Sequence, residues 1–274
     1  MSRIAAIVVV LGSVFCAGYW CWSINTPVAP ETTDRPVEFT TVSRNKEAET
    51  TEEILRTDPM RFLRMSLERI DKEISGYSLT FEKREHPLKG KLLGWETIRV
   101  DYLRHPHSVR MKWKSGSWLA DAVLYVEGQN DGKMFGIGAG PLRFAGLQTY
   151  DPEGDKAQAS GRYFITSFGF ERSTKRTLAA MEKAAAREAL RVEYEGIVTV
   201  SKLGDTKCYK LVRHYDKVEE DDLGELDLYF DTEHWLQVGS QLKTPKGEDL
   251  GQYFFRDIVL NPTFDPKTFT KAGL

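Results

Sequence analysis

The sequence is poor in cysteine, and that scarcity already excludes one architecture. Its three cysteines are Cys16, Cys21 and Cys208, the first two inside an N-terminal apolar run, so no disulfide can staple the rest of the chain. Cys208 lies in the strand-like run Lys207-Cys208-Tyr209-Lys210-Leu211-Val212 and reads as a small buried hydrophobe, with no local motif to stabilise a thiolate. Net charge is scarce too. At −2, with a pI near 6.3, the chain lacks the general basic character that nucleic-acid phosphates require, and no nucleic-acid partner is expected. There is no Gly-x-Ser-x-Gly nucleophile elbow, and the Ser-Gly-Ser at Ser115 to Ser117 falls in a turn. No internal repeat is evident. Apolar residues are plentiful: 41% hydrophobic and 11% aromatic over 274 residues support a sizeable core and exclude disorder for most of the chain.

The N-terminus sets the expected compartment. From Ile4 to Trp22 the chain runs 19 residues without a charge, which as a helix spans about 28 Å, close to a bilayer core. Residues 1–22 therefore read as a transmembrane anchor or a signal peptide. Tyr19, Trp20 and Trp22 suit a membrane interface, and Cys16-Ala17-Gly18 is a poor cleavage site, so the anchor is the preferred reading. Lipidation is set aside because the large Phe15 and Trp20 precede the two cysteines. Residues 23–57, rich in Thr, Glu and Pro, read as a flexible polar tether with a span of roughly 30 Å. The expectation is an exported protein of the periplasm or cell envelope, held at the inner membrane by residues 4–22.

Residues 58–274 read as one domain. Asp58-Pro59 starts a helix, Leu63, Leu67, Ile70 and Ile74 give it an apolar stripe, and Gly76 closes it. The period then changes from 3.6 to 2. Tyr77, Leu79 and Phe81, then Ile98, Val100 and Tyr102, then Val109, Met111 and Trp113 alternate with polar residues, predicting three half-buried strands. A fourth runs from Ala122 to Gln129 into the turn Asn130-Asp131-Gly132, and a fifth starts at Lys133. Between Gly136 and Gly169 only loops and short strands are predicted. A second helix, capped by Ser173 or Thr174, presents Leu178, Met181, Ala185, Ala189 and Val192, and five more strands follow to Leu260. The fold class is mainly β (α+β): an incomplete antiparallel barrel, or strongly curved sheet, of about nine or ten strands wrapping two helices.

Chemistry-bearing clusters are thin. His105 and His107 flank a proline near Asp101 and are candidate metal ligands, but the proline favours a turn and no third ligand has a recognisable spacing. Glu219-Glu220-Asp221-Asp222 reads as a solvated loop. Gly136-x-Gly138-x-Gly140 follows a strand yet precedes no capped helix, so it fails the context of a dinucleotide site. No cofactor and no catalytic constellation are expected. The aromatic and aliphatic residues on alternating strand positions are either ordinary core or the wall of an apolar cavity; Leu79, Phe81, Trp95, Met111, Trp113, Tyr125, Leu228 and Phe230 are the candidate ligand-binding set.

The run Tyr77-x-x-x-Phe81-x-Lys83-Arg84-Glu85, the segments Gly90 to Val100 and Val109-x-Met111-Lys112-Trp113, and Val123 to Lys133 resemble a bacterial family of exported proteins with a domain of unknown function. That family is similar to the periplasmic lipoprotein-carrier (LolA-like) superfamily, and the resemblance covers Asp58 to the C-terminus. It implies an incomplete antiparallel barrel wrapped around helices and enclosing an acyl-chain cavity, and it brings no catalytic residues. The chain shows no motif that commits it to lipoproteins. The leading expectation is an envelope binding protein for a lipid or acylated protein. The rivals are an envelope interaction module with a filled core, and a metal-assisted hydrolase at His105 and His107.

Overall fold

In a computed structural model, residues 49–215 and 223–274 are described. The apolar run at 4–22, the tether up to residue 48 and the acidic cluster at 219–222 lie outside them. Among the described residues no helix is long and apolar enough to cross a membrane.

The first described element is a helix inside the stretch read as tether. Helix α1, Thr51–Thr57, is capped by Thr50, whose hydroxyl accepts the Glu53 N–H at 3.2 Å, and it buries Ile54 and Leu55. Two adjacent apolar residues are too few to register as a period, yet they are enough to dock one turn. Helix α2, Pro59–Glu73, starts as its sequence dictates: the Asp58 carboxylate accepts the Arg61 N–H at 2.9 Å and Pro59 occupies the first turn, where its missing N–H costs nothing. Its buried face is Phe62, Leu63, Ser66 and Ile70. Gly76 does not cap it. Ile74 is already extended, and Gly76 opens a strand where a Cβ would come within 2.6 Å of the Tyr102 carbonyl oxygen.

The strands are β1 (Gly76–Glu85), β2 (Glu96–Leu103), β3 (Ser108–Ser115), β4 (Ala120–Val126), β5 (Met134–Gly138) and β6 (Leu147–Tyr150), then, after helices α3 (Asp155–Ser160) and α4 (Phe170–Ala185), β7 (Arg191–Thr199), β8 (Lys207–His214), β9 (Glu225–Asp231), β10 (Gln237–Lys243) and β11 (Asp249–Leu260). They form one open, curved antiparallel sheet in the order β6-β5-β4-β3-β2-β1-β11-β10-β9-β8-β7. Two meanders are thus joined where the first strand pairs with the last. Eleven strands replace the expected nine or ten because the exposed, non-alternating β6 escapes a period-2 reading.

Helix α4 begins earlier than expected. Gly169 stands at its N-cap with φ +123°, and a Cβ there would lie 2.8 Å from the Tyr102 ring, so only glycine brings the chain this close. Neither Ser173 nor Thr174 is the cap. The buried face is consequently Phe170, Thr174, Thr177, Met181 and Ala184, while Ala189 lies beyond the helix and Val192 belongs to β7.

One row across the register, Glu96, Lys83, Tyr253, Ser240, Leu228 and Leu211, identifies a single inner face of the sheet. Its two halves are covered differently. Over β8 and β9 the helices α1, α2 and α4 pack a solid core, with Phe62 edge-on to Phe230 at 5.2 Å and Met181 fully buried. Over β1 to β5 the cover is the irregular stretch from Gly140 to Gly169.

Candidate functional site

Under that irregular cover lies a cavity of about 360 Å³, inside the roughly 300–1,000 Å³ range of small-molecule sites. Alternation builds its wall: Phe81 on β1, Ile98 on β2, Met111 and Trp113 on β3 and Val123 on β4 all project to the inner face. Phe164, Ile165 and Phe168 close it from above, and Phe255 of β11 completes the side. The glycines that fail as a nucleotide motif have a steric role here. A Cβ at Gly136 would stand 2.9 Å from the Tyr150 ring and one at Gly138 2.5 Å from the Leu142 Cβ, so both keep the wall thin where those side chains fold over it.

The wall is apolar except at the β1–β2 end. There Lys83 bridges two carboxylates, Glu85 at 2.6 Å and Glu96 at 3.0 Å, with all three side chains nearly buried. Every oxygen is used: Glu85 also accepts the Tyr253 hydroxyl at 2.6 Å and the Arg162 N–H at 2.9 Å, and Glu96 accepts the Trp113 indole N–H at 3.1 Å. Burial alone would pull the Lys83 ammonium down, but the Glu85 and Glu96 carboxylates outweigh it and hold its pKa above the ordinary value. Burial, reinforced by Glu85, pushes the Tyr253 phenol well up. A buried, fully hydrogen-bonded ion network of this kind fixes geometry and adds little net stability.

Of the candidate residues, Phe81, Met111 and Trp113 line the cavity. Leu79 is buried in the same core cluster one step along β1. Tyr125 packs with Met134 and Ala157, which line the cavity although it does not. Trp95 lies on the opposite face, its ring 6.3 Å from that of Phe254 and beneath the Lys202 ammonium at 4.1 Å. Leu228 and Phe230 belong to the filled half under the helices. The sequence reading missed Lys83, Glu85 and Glu96, whose signal was charge at alternate positions continuing the inward face of β1. It also missed Phe164, Ile165 and Phe168, which carry no period at all.

His105 and His107 lie in the turn between β2 and β3 in different surroundings. His105 is exposed, whereas His107 is buried with Nδ1 3.3 Å from the Tyr102 hydroxyl and Nε2 3.3 Å from the Ile165 carbonyl. Burial, with Arg172 nearby, lowers the His107 pKa and so disfavours the charged ring. Among the described residues no group of three or more His, Cys, Asp or Glu side chains is placed to hold a metal ion. Cys208 is fully buried, and burial followed by the Asp231 charge raises its thiol to about 12, the inert state expected of it.

No curated protein matches the chain. Among solved structures it is similar to a DUF1329 family protein from Desulfovibrio piger, with 11% identity over 80% of this chain and 100% of that one and a TM-score of 0.41. It is similar to the MucA/MucB complex of Pseudomonas aeruginosa, with 14% identity over 78% of this chain and 60% of that one and a TM-score of 0.45. A LolA superfamily protein from Nitrosomonas europaea shares 8% identity over 77% of this chain and 99% of that one, with a TM-score of 0.31. Residues 74–273 match the family described as "Protein of unknown function (DUF1571)", and the chain belongs to that family.

Proposed function

We propose that the protein is an exported cell-envelope binding protein that holds a lipid or an acylated partner in the cavity between β1–β5 and the 140–169 cover, and performs no catalysis on it. One observation carries this reading. The helices fill one half of the inner face and leave the other half hollow, apolar and bounded by a polar network at one end. An acyl chain placed there contributes roughly 0.8 kcal/mol per buried methylene, so even a partly enclosed chain binds measurably. The apolar run at 4–22 supports retention of the domain at the inner membrane.

Gently purified full chain, extracted with organic solvent and analysed by mass spectrometry, should release a stoichiometric amphiphile. After delipidation it should bind a fluorescent fatty acid saturably. Absence of both would abandon the cavity in favour of an interaction module.

A further inference from the structure

The antiparallel register brings three hairpin loops to one end of the sheet. They are residues 86–95 between β1 and β2, 116–119 between β3 and β4, and 139–146 between β5 and β6. Each carries a large apolar side chain in solvent: Leu88 at 52% exposure, Trp118 at 50%, and Leu142 at 51% beside Phe144 at 97%. Single exposed apolar residues need no explanation, but four on three loops at one end of the sheet, one of them a fully extruded Phe, call for one. The tips are not loose. The Ala139 N–H donates to the Leu119 carbonyl at 3.1 Å, the Leu142 N–H to the Ala139 carbonyl at 3.0 Å, and the Lys89 N–H to the Gln158 carbonyl at 3.0 Å.

Two further features define what this surface meets. Trp118 and Leu142 are exposed and also line the cavity, so the apolar lip and the cavity mouth are one continuous surface. The three loops also hold Lys89, Lys91 and Arg143 and not one Asp or Glu. Asp155 offsets Lys89 at 2.7 Å and Asp121 pairs with Arg143, which leaves Lys91 as the cation without a carboxylate partner among the described residues. Aromatic and aliphatic tips that carry no carboxylate of their own and one unpaired lysine are complementary to the headgroup layer of an anionic bilayer.

We propose that these three loops dock onto an anionic phospholipid surface, seating the cavity mouth against the bilayer so that an acyl chain passes between them without crossing water. The proposal rests on the reading of the cavity as a lipid site. Its test must separate the loops from the apolar run at 4–22, which would bind vesicles by itself. Amide hydrogen exchange of the full chain does so. It is compared in detergent, in vesicles of phosphatidylethanolamine with phosphatidylglycerol, and in vesicles of phosphatidylcholine alone.

Amides of all three loops should exchange about tenfold more slowly on the phosphatidylglycerol vesicles than in detergent, with a smaller effect on phosphatidylcholine. Phe144→Ser with Leu88→Ser, both outside the cavity wall, and separately Lys89→Glu with Lys91→Glu, should remove the slowing while fatty-acid uptake from solution persists. Slowing confined to the N-terminal residues overturns the proposal, as does slowing indifferent to lipid charge. Slowing that needs no lipid and grows with protein concentration also overturns it, because the occupant is then a second copy. Slowed loops in a protein that takes up no fatty acid would uphold the docking and remove the cavity reading alone.

Discussion

Phe81 and Phe255 stack with ring centroids 4.8 Å apart, across the register that joins the first strand to the last, and both face the cavity. The pair is at once part of the seam and part of the wall. Phe81→Ala should lower unfolding stability by about 3 kcal/mol, the low end for a buried Phe because one side already borders empty space. A double-mutant cycle with Phe255→Ala, read by urea denaturation, should return a coupling of about 0.5–1.5 kcal/mol. Strict additivity would show that the rings do not act together.

Hollow and filled halves should respond oppositely to substitution. Val123→Phe places a ring in the cavity and should weaken fatty-acid binding about tenfold or more with little change in melting temperature. Leu228→Ala, beneath the helices, should cost about 2–5 kcal/mol of stability and leave probe affinity unchanged. Titrating a fluorescent fatty acid into both variants decides the matter. Equal affinities in the two would locate the ligand elsewhere.

The Lys83 network should be visible at alkaline pH. Lys83 and Tyr253 both bind their protons more tightly in the folded chain than in the unfolded one. Their stabilisation is therefore complete below about pH 10 and is lost as pH rises through the folded values. Tyr253→Phe should flatten that alkaline fall in a melting-temperature profile. Lys83→Met, which strands two buried carboxylates, should cost about 3–5 kcal/mol near neutral pH, and adding Glu85→Gln and Glu96→Gln should recover most of it.

Cys208 should stay unmodified in the native chain. With its thiol raised to about 12 by burial and Asp231, alkylation at about pH 8 should give the same stoichiometry for wild type and Cys208→Ala, the two differing by one thiol only after denaturation.

How much of this was legible depends on where period and burial coincide. Asp58-Pro59 and the alternation of Tyr77 to Phe81, Ile98 to Tyr102 and Val109 to Trp113 each predict an element that the structure contains, because one face is buried and the other solvated. The start of α4 was hidden because Gly169 caps it with backbone conformation rather than a side chain. The division between hollow and filled halves was hidden for another reason. Leu228 and Phe230 alternate as Phe81 does, and only the placement of α1, α2 and α4 decides which stretch of that face is covered. Trp95, just outside a strand, has no alternation to report its side.

Because β11 pairs with both β1 and β10 in the middle of the sheet, the chain's last strand is its keystone and not its margin. During synthesis two half-sheets, each with an unsatisfied row of backbone amides and carbonyls, must wait for residues 249–260 to emerge. A polypeptide interrupted before that point would carry two half-sheets with adhesive open edges, not a slightly shorter version of the same domain.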